Sequence, residues 1–335
     1  MNFIDTGVFE KQKVRIKNLL PEIGIEKARA EIIAGLTSKN KSISSKYFYD
    51  ELGSELFEAI TELPEYYPTR TEKSILKSIA PELMNRNSSF EIIELGSGDC
   101  SKISILIDAI EKVNLKNVDY IPIDISKSAI EKSAAELLEK FPEMKINGYV
   151  ADFIHQLNQI PHSEKPRLIC FLGSTIGNFS KTDSTKILQN LAKGLLKGDS
   201  LLVGFDLVKP EPVLHAAYND SDGVTEQFNK NILNVVNSII DTDFNTDDFN
   251  HHSFFNHEKS RIEMHLVANK KCSVNSPFIK KPICFEKGES IHTENSHKYY
   301  LDGIDELITN SGLVVKNRYT DSNKWFALVE FTNQI

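Results

Sequence analysis

The chain has little that would tie it to a secretory route or a membrane. Its 335 residues hold four cysteines, Cys100, Cys170, Cys272 and Cys284, far apart and without a Cys-x-x-Cys pair. That spacing argues against both a disulfide framework and a thiolate zinc site. No apolar run approaches the roughly 20 residues of a membrane span, and the first residues, with Asp5, Glu10 and Lys11 among them, contain no apolar signal core. Positive charge is not in excess either. The 39 lysines and arginines face 47 acids for a formal charge of −8, so no global field would draw in phosphate backbones. These absences predict a cytoplasmic protein that binds neither nucleic acid nor membrane, and a monomer is expected. With 40% hydrophobic and 26% charged residues, the length suits one large or two ordinary domains with a sizeable core.

Glycine is sparse at the point around which the chain is organised. The run Glu91-Ile92-Ile93-Glu94-Leu95 leads into Gly96-Ser97-Gly98 and then a helical pattern from Lys102 to Val113, which reads as strand, tight turn and helix. Two glycines do not make the dinucleotide fingerprint, and a plain strand-to-helix turn competes with a ligand site. The next apolar run, Asp119 to Asp124, ends in an acid roughly 20 residues past the turn, where open α/β folds place a carboxylate for ribose hydroxyls. Asp124 also suits a helix cap, but Ser126 fills that role for a helix from Lys127 to Phe141. A third strand, Ile146 to Val150, ends in Ala151-Asp152-Phe153, an acid beside an aromatic that can bond and stack an adenine. Acid-terminated strands in series suggest S-adenosylmethionine more than NAD.

Elsewhere, Ile25 to Leu36 reads as a helix and Thr37 to Lys46 as a loop. The segment Tyr47 to Glu72 holds an aromatic cluster, a short helix from Ser54 to Thr61 and a rigid turn between Pro64 and Pro68. Phe48, Phe57 and Tyr67 suit packing, while Tyr49 and Tyr66 stand apart only if a site lies nearby. Arg167 to Leu172 is a continuous apolar run, as in a central parallel strand, and stops at Gly173-Ser174-Thr175-Ile176-Gly177-Asn178. Asn178 offers a donor and an acceptor to a zwitterion, and equally suits a turn. A helix from Asp183 to Leu196 and a strand from Ser200 to Asp206 follow. After Lys209-Pro210 the pattern reads as an insertion, with a helix from Gly223 to Ile240. Residues Asp247 to His257 read as a loop or hairpin, and His251, His252 and His257 lack a clear ligand spacing. From Arg261 to Ala268, alternation predicts a strand with Glu263 and His265 on its wet face, and Met264 either in the core or in a pocket wall. Glu294 and Ser296 are two apart, so on an extended segment they share a face and can bond the two nitrogens of an imidazole; a charged strand edge is the alternative. Leu301 to Ser311 reads as a helix, and Leu313 to Val315 and Trp325 to Phe331 as closing strands.

The segment Tyr47 to Glu72 resembles the signature of the histidine N-alpha-methyltransferases of ergothioneine biosynthesis. The likeness continues in order through Glu94-Leu95-Gly96-Ser97-Gly98, Phe171 to Asn178, Ala217-Tyr218-Asn219-Asp220 and Thr293-Glu294-Asn295-Ser296. It implies an α/β fold: a Rossmann-like class I methyltransferase sheet with a second, smaller α+β substrate-binding domain formed by the N-terminal segment and an insertion. The expected divisions are 71–206 plus 299–335, and 8–70 plus 207–298. The resemblance implies S-adenosylmethionine as co-substrate, with Gly96 and Lys102 near its methionine end, Asp124 on the ribose, and Asp152 and Phe153 at the adenine. For L-histidine it implies Asn178 and Tyr218 at the carboxylate, Tyr66, Glu294 and Ser296 around the imidazole, and Met264 in the pocket. Tyr49 would orient the amine, and Phe57 would face the trimethylated product, hercynine. No metal is expected, because a sulfonium methyl is already electrophilic. Two other readings stay open: an enzyme acting on another aromatic amino acid such as a tryptophan derivative, and a non-catalytic sensor of S-adenosylmethionine or an amino acid.

Overall fold

The computed structural model describes residues 9–11, 13–20, 25–161, 163–309 and 311–333. Their strands in chain order are β1 (Phe9–Lys11), β2 (Val14–Asn18), β3 (Phe90–Leu95), β4 (Val118–Asp124), β5 (Lys145–Val150), β6 (Arg167–Phe171) and β7 (Ser200–Asp206), then β8 (Phe249–Asn256), β9 (Arg261–Ala268), β10 (Cys272–Val274), β11 (Ile283–Phe285), β12 (Ser290–His297), β13 (Leu313–Thr320) and β14 (Phe326–Asn333). Two compact units result: Met1–Pro21, Arg70–Leu207 and Tyr299–Ile335 form one, and Glu22–Thr69 with Val208–Lys298 the other.

The first unit is built on a nine-stranded sheet in the order β1-β2-β5-β4-β3-β6-β7-β14-β13. From β2 to β7 the pairs are parallel, and β14 then runs antiparallel to β7 and to β13. Strand order reverses between β3 and β6, the switch point outside whose carboxyl ends doubly wound sheets hold ligands. Because successive side chains leave a strand on opposite sides, the apolar runs feed two cores at once. Ile92, Tyr120, Cys170, Leu202 and Phe326 pack on one side with Leu76 and Ile79 from the helix Tyr67–Met84 and Ile103 and Leu106 from the helix Ser101–Asp108. Ile93, Ile121, Phe171, Val203 and Val329 pack on the other with Leu188 and Leu191 from the helix Lys181–Gly194 and with Ile304 and Leu307 from the helix Gly303–Ile308. Each such buried side chain contributes roughly 1.5–3 kcal/mol of transfer free energy.

The second unit holds the antiparallel sheet β12-β9-β8, the pair β10-β11, and the helices Ile25–Thr37, Glu51–Glu62, Glu211–Tyr218 and Val224–Ile240. Phe228, Ile232, Val236 and Ile240 recur every fourth residue and form the buried stripe of the last helix, with Phe228 stacked on Phe48 at 4.5 Å. Among the described residues no helix is long and apolar enough to cross a membrane.

Two expectations are corrected and one alternative is decided. Residues 8–70 do not all belong with the insertion: β2 pairs in parallel with β5, burying Val14 and Ile16 in a core of the first unit, because its apolar alternation covers an otherwise open sheet edge. Of the loop or hairpin expected at 247–257 the structure has the hairpin: residues 249–256 pair with β9 along their whole length, so cross-strand pairing outweighs the poor β-propensity of Asn and His. The turn expected up to Pro68 gives way to the helix Tyr67–Met84, whose first turn accepts proline because its N–H has no helical partner there.

The start of β6 is held by a buried ion pair. Arg167 Nε donates to Asp199 Oδ2 at 2.9 Å, and the Arg167 backbone N–H donates to Asp199 Oδ1 at 2.9 Å. The side chains are 6% and 2% exposed. Asp199→Ala leaves a guanidinium buried without its counter-ion and is expected to cost about 3–5 kcal/mol. Urea unfolding measures this, and a loss below about 1 kcal/mol would mean that water replaces the carboxylate.

Candidate active site

At the carboxyl end of β3 the chain turns through Gly96 at φ +66° and Gly98 at φ +46°. A Cβ on Gly98 would meet nothing within 4 Å, and one on Gly96 only the Phe153 ring at 3.8 Å, so the turn is an open backbone cradle. Gly96 N–H donates to the Ile123 carbonyl at 2.8 Å and ties the turn to β4. Asp124, the last residue of β4, accepts from Gly98 N–H on Oδ2 (3.0 Å) and from Ser126 N–H on Oδ1 (2.9 Å). Burial raises its pKa against the pull of these backbone donors. Ser126 caps the helix Lys127–Lys140 by accepting from Ala129 N–H, so Asp124 is not needed for capping.

Asp152 accepts from Ile154 N–H at 2.9 Å and caps the short helix Phe153–Gln156. Phe153 meets Phe171 edge-on at 5.3 Å. Ser97 Oγ is buried without a hydrogen-bond partner among the described residues. A left-handed glycine turn, a half-buried acid, an aromatic ring and an orphaned hydroxyl on one sheet edge fit the S-adenosyl nucleoside that the resemblance implies.

Lys102 has a partner that sequence reasoning missed. Its Nζ lies 2.8 Å from Oε2 of Glu72, whose side chain has no exposed surface. Both Glu72 oxygens also accept from Gly173 N–H, at 2.9 and 3.0 Å, where the chain leaves β6 through left-handed Gly173 (φ +76°) and Ser174 (φ +54°). Glycines make room for the pair: a Cβ on Gly204 would stand 2.5 Å from Glu72 Oε1, and one on Gly173 3.0 Å from Lys102 Nζ. Burial works against the Lys102 charge, but Glu72 outweighs it and lifts the ammonium above its ordinary pKa. Burial also pushes Glu94 up to about 8, although Tyr120 donates to it at 2.5 Å and Lys102 lies near. The only local sign of Glu72 is an acid on the apolar face of a helix. Asn178 ends the single turn Thr175–Asn178, half-buried, with no side-chain hydrogen bond among the described residues.

The second unit collects the remaining candidates. Tyr218 closes the helix Glu211–Tyr218, and its hydroxyl donates to Ser296 Oγ at 2.8 Å. Lys298 Nζ, also buried and also missed, donates to Tyr218 Oη at 2.9 Å and to Ser296 Oγ at 2.8 Å. A period-two reading carried two residues past Ser296 would have found it. Glu294 stands opposite Met264 in the register of β12 and β9. Burial pushes its carboxyl up to about 7, with the Lys298 charge opposing, and among the described residues nothing hydrogen-bonds the carboxylate. Rings continue the site: Tyr218 to Tyr66 at 6.3 Å, Tyr66 to Phe57 at 6.4 Å, Phe57 to Tyr49 at 5.7 Å and Tyr49 to Phe228 at 6.0 Å, all edge-on. Phe228 was not anticipated, since its helix reads locally as packing. Asp50 fixes the start of this string by capping the helix Glu51–Glu62 through Gly53 N–H and by accepting from Asn231 Nδ2, each at 2.8 Å.

A family model described as histidine-specific, S-adenosylmethionine-dependent methyltransferase matches residues 28–333. The histidine N-alpha-methyltransferase of Mycolicibacterium smegmatis is 38% identical over 310 residues, covering 92% of this chain and 96% of that protein. The protein of the same name from Mycobacterium tuberculosis is 37% identical over 318 residues, covering 94% and 98%. Ergothioneine biosynthesis protein 1 of Schizosaccharomyces pombe is 30% identical over 309 residues, which cover 88% of this chain and 39% of that longer one. With the glycine cradle, the acid-ended strands and the Glu294 neighbourhood all inside the matched span, the chain belongs to the family of histidine-specific, S-adenosylmethionine-dependent methyltransferases.

Proposed function

We propose that this protein transfers methyl groups from S-adenosylmethionine to the alpha-amine of L-histidine, three times in succession, giving trimethylhistidine for ergothioneine synthesis. The observation that carries the reading is Glu294, a buried carboxylate with no described hydrogen-bond partner, beside a serine whose lone pairs are already taken. Ser296 Oγ accepts from Tyr218 and Lys298, which leaves its own proton to donate. An imidazole seated here gives its N–H to Glu294 and takes the Ser296 proton on its other nitrogen, which selects a neutral ring in one tautomer. Indole has one N–H and no ring acceptor, so it would leave Ser296 unsatisfied.

When bound, S-adenosylmethionine supplies an electrophilic methyl, so the chain's residues need only hold, orient and desolvate the amine. Asp124 has lone pairs left for ribose hydroxyls, the Gly96 turn admits close approach of the ligand, and Lys102 carries positive charge for the methionine carboxylate. Asp152 and Phe153 serve the adenine. Asn178 and Tyr218 are assigned to the histidine carboxylate, and Tyr66 and Met264 to the side-chain pocket. The Tyr49 hydroxyl accepts a hydrogen bond from the amine and turns its lone pair toward the methyl. As methyl groups accumulate, the faces of Phe57 and its neighbouring rings hold a cation that has lost its hydrogen-bond donors.

Mass spectrometry of histidine and tryptophan competing for the purified protein and S-adenosylmethionine tests the reaction. Histidine is expected to gain one, two and then three methyl groups on the alpha-nitrogen; modification of tryptophan, or of neither, overturns the assignment of Glu294 and Ser296. Glu294→Ala is expected to weaken histidine binding by roughly 1–3 kcal/mol while leaving S-adenosylmethionine binding within a few-fold, and Asp124→Ala to do the reverse. Calorimetric titration of each ligand separates the two, and equal losses for both ligands would make the residue structural.

Glu294 also sets a pH dependence. A carboxyl whose folded pKa is raised to about 7 binds its proton more tightly in the native state than in the unfolded one. Ligand-free stability therefore falls as pH rises from about 4.5 to 7, by roughly 3 kcal/mol in all. Glu294→Gln is expected to remove that loss, so urea unfolding should show the variant gaining on the wild type at pH 8 and not at pH 4.5.

A further inference from the structure

The polar face of β9 and β12 carries a largely buried cluster that methyl transfer does not use. Glu263 and His265 are two apart on β9, and His292 stands directly across from His265 on β12. One ligand atom from each lies within 4.8 Å of the others, and the two imidazole rings are 4.9 Å apart. Glu263 is held as a ligand carboxylate would be. Its Oε1 accepts from Arg261 Nε at 2.9 Å and from Asn256 Nδ2 at 3.0 Å, while Oε2 faces His265 Nε2 at 3.2 Å. His292 Nε2 lies 3.0 Å from the Glu294 carbonyl, which can only accept, so that nitrogen carries the proton and Nδ1 keeps a lone pair. Backbone and side-chain partners of this kind orient the ligands of metal sites. Asn295, across from Glu263 in the register, adds a buried Oδ1 with no hydrogen-bond partner among the described residues.

We propose that Glu263, His265 and His292 bind one first-row divalent cation of the zinc type, with Asn295 Oδ1 as a fourth donor. Two imidazoles and one carboxylate suit zinc and its neighbours, whereas a single carboxylate already shared with Arg261 is a poor host for magnesium. The ion joins β9 to β12 beside the register shift between His292 and Glu294, on the strand that also carries Glu294 and Ser296. It therefore acts as a brace for that strand and takes no part in methyl transfer.

The test uses the full chain, free of any affinity tag and stripped by chelator, titrated with zinc chloride and followed by calorimetry and thermal unfolding. One equivalent of zinc is expected to bind and raise Tm, and magnesium chloride to do neither. His292→Ala and His265→Asn are each expected to weaken zinc binding at least about 100-fold, more than the loss of a supporting residue, with metal-free Tm unchanged. If His292→Ala lowers the metal-free Tm, His265→Asn is read in its place. Cobalt absorption distinguishes nitrogen and oxygen ligation from thiolate ligation, and Cys284→Ser is expected to leave zinc affinity unaltered. Absence of stoichiometric zinc binding, undiminished binding in the histidine variants, or a thiolate-type cobalt spectrum overturns the proposal.

Discussion

The ion pair of buried Glu72 with partly exposed Lys102 is the contact on which the rest of the first unit depends. It joins the helix Tyr67–Met84 to the helix Ser101–Asp108, and through Gly173 N–H it joins both to the end of β6. Burying two charges costs several kcal/mol each unless other hydrogen bonds complete the shell, and the Gly173 amide supplies that completion. The pair also dictates its surroundings. Gly204 in the fully buried β7 leaves space for one carboxylate oxygen, and Gly173 leaves space for the ammonium. The left-handed step at Gly173 and Ser174 aims the amide at Glu72, and Ser174 Oγ accepts from Asp206 N–H at 2.8 Å, which ties the step to the end of β7. Strain of this kind persists where surrounding contacts over-determine it, and here it lies at the sheet edge where the ligand turn is.

Electrostatics separate the two buried carboxylates next to these lysines. Glu94 sits near Lys102 yet is raised to about 8, because burial outweighs the Lys102 charge and the hydrogen bond that Tyr120 donates to its carboxylate, with the nearby charges of Asp99 and Glu72 adding to the rise. Glu294 is raised to about 7 for a related reason: burial outweighs the opposing charge of Lys298, whose ammonium donates to Tyr218 and Ser296. One acid is a settled part of a core, and the other waits for a donor. The string of edge-on rings from Tyr218 to Phe228 complements it, since quadrupolar faces tolerate a cation that can no longer donate hydrogen bonds.

Local signals were legible wherever a neighbour in sequence is also the partner in space. Ser126 as a cap, Ser200 to Asp206 as a strand, and Arg261 to Ala268 as a strand with one polar face all follow from residues within one turn or one pleat. A period of two places Glu294 and Ser296 on one face of β12. Lys298 obeys the same period but lies at the expected end of the insertion, where the pattern stops. Glu72 and Phe228 could not be read, because each lies in a plain helical pattern and acquires its role from residues 30 to 180 positions away. The strands β2 and β8 were not fixed locally for the same reason: ambiguous alone, they are strands because β5 and β9 offer them a ladder.

By itself the sequence determined the acid-ended strands and the glycine turn at Gly96, since these depend on residue chemistry and on a period of two, and it carried the resemblance that gives the family. Tertiary structure alone decided which charges are neutralised and which are left waiting. Glu72, Glu94, Glu263 and Glu294 are one residue type with four outcomes: an ion pair with Lys102, a protonated acid, an arginine-held carboxylate and an open acceptor. What separates them is desolvation and the reach of a particular cation, and both exist only once the chain has packed.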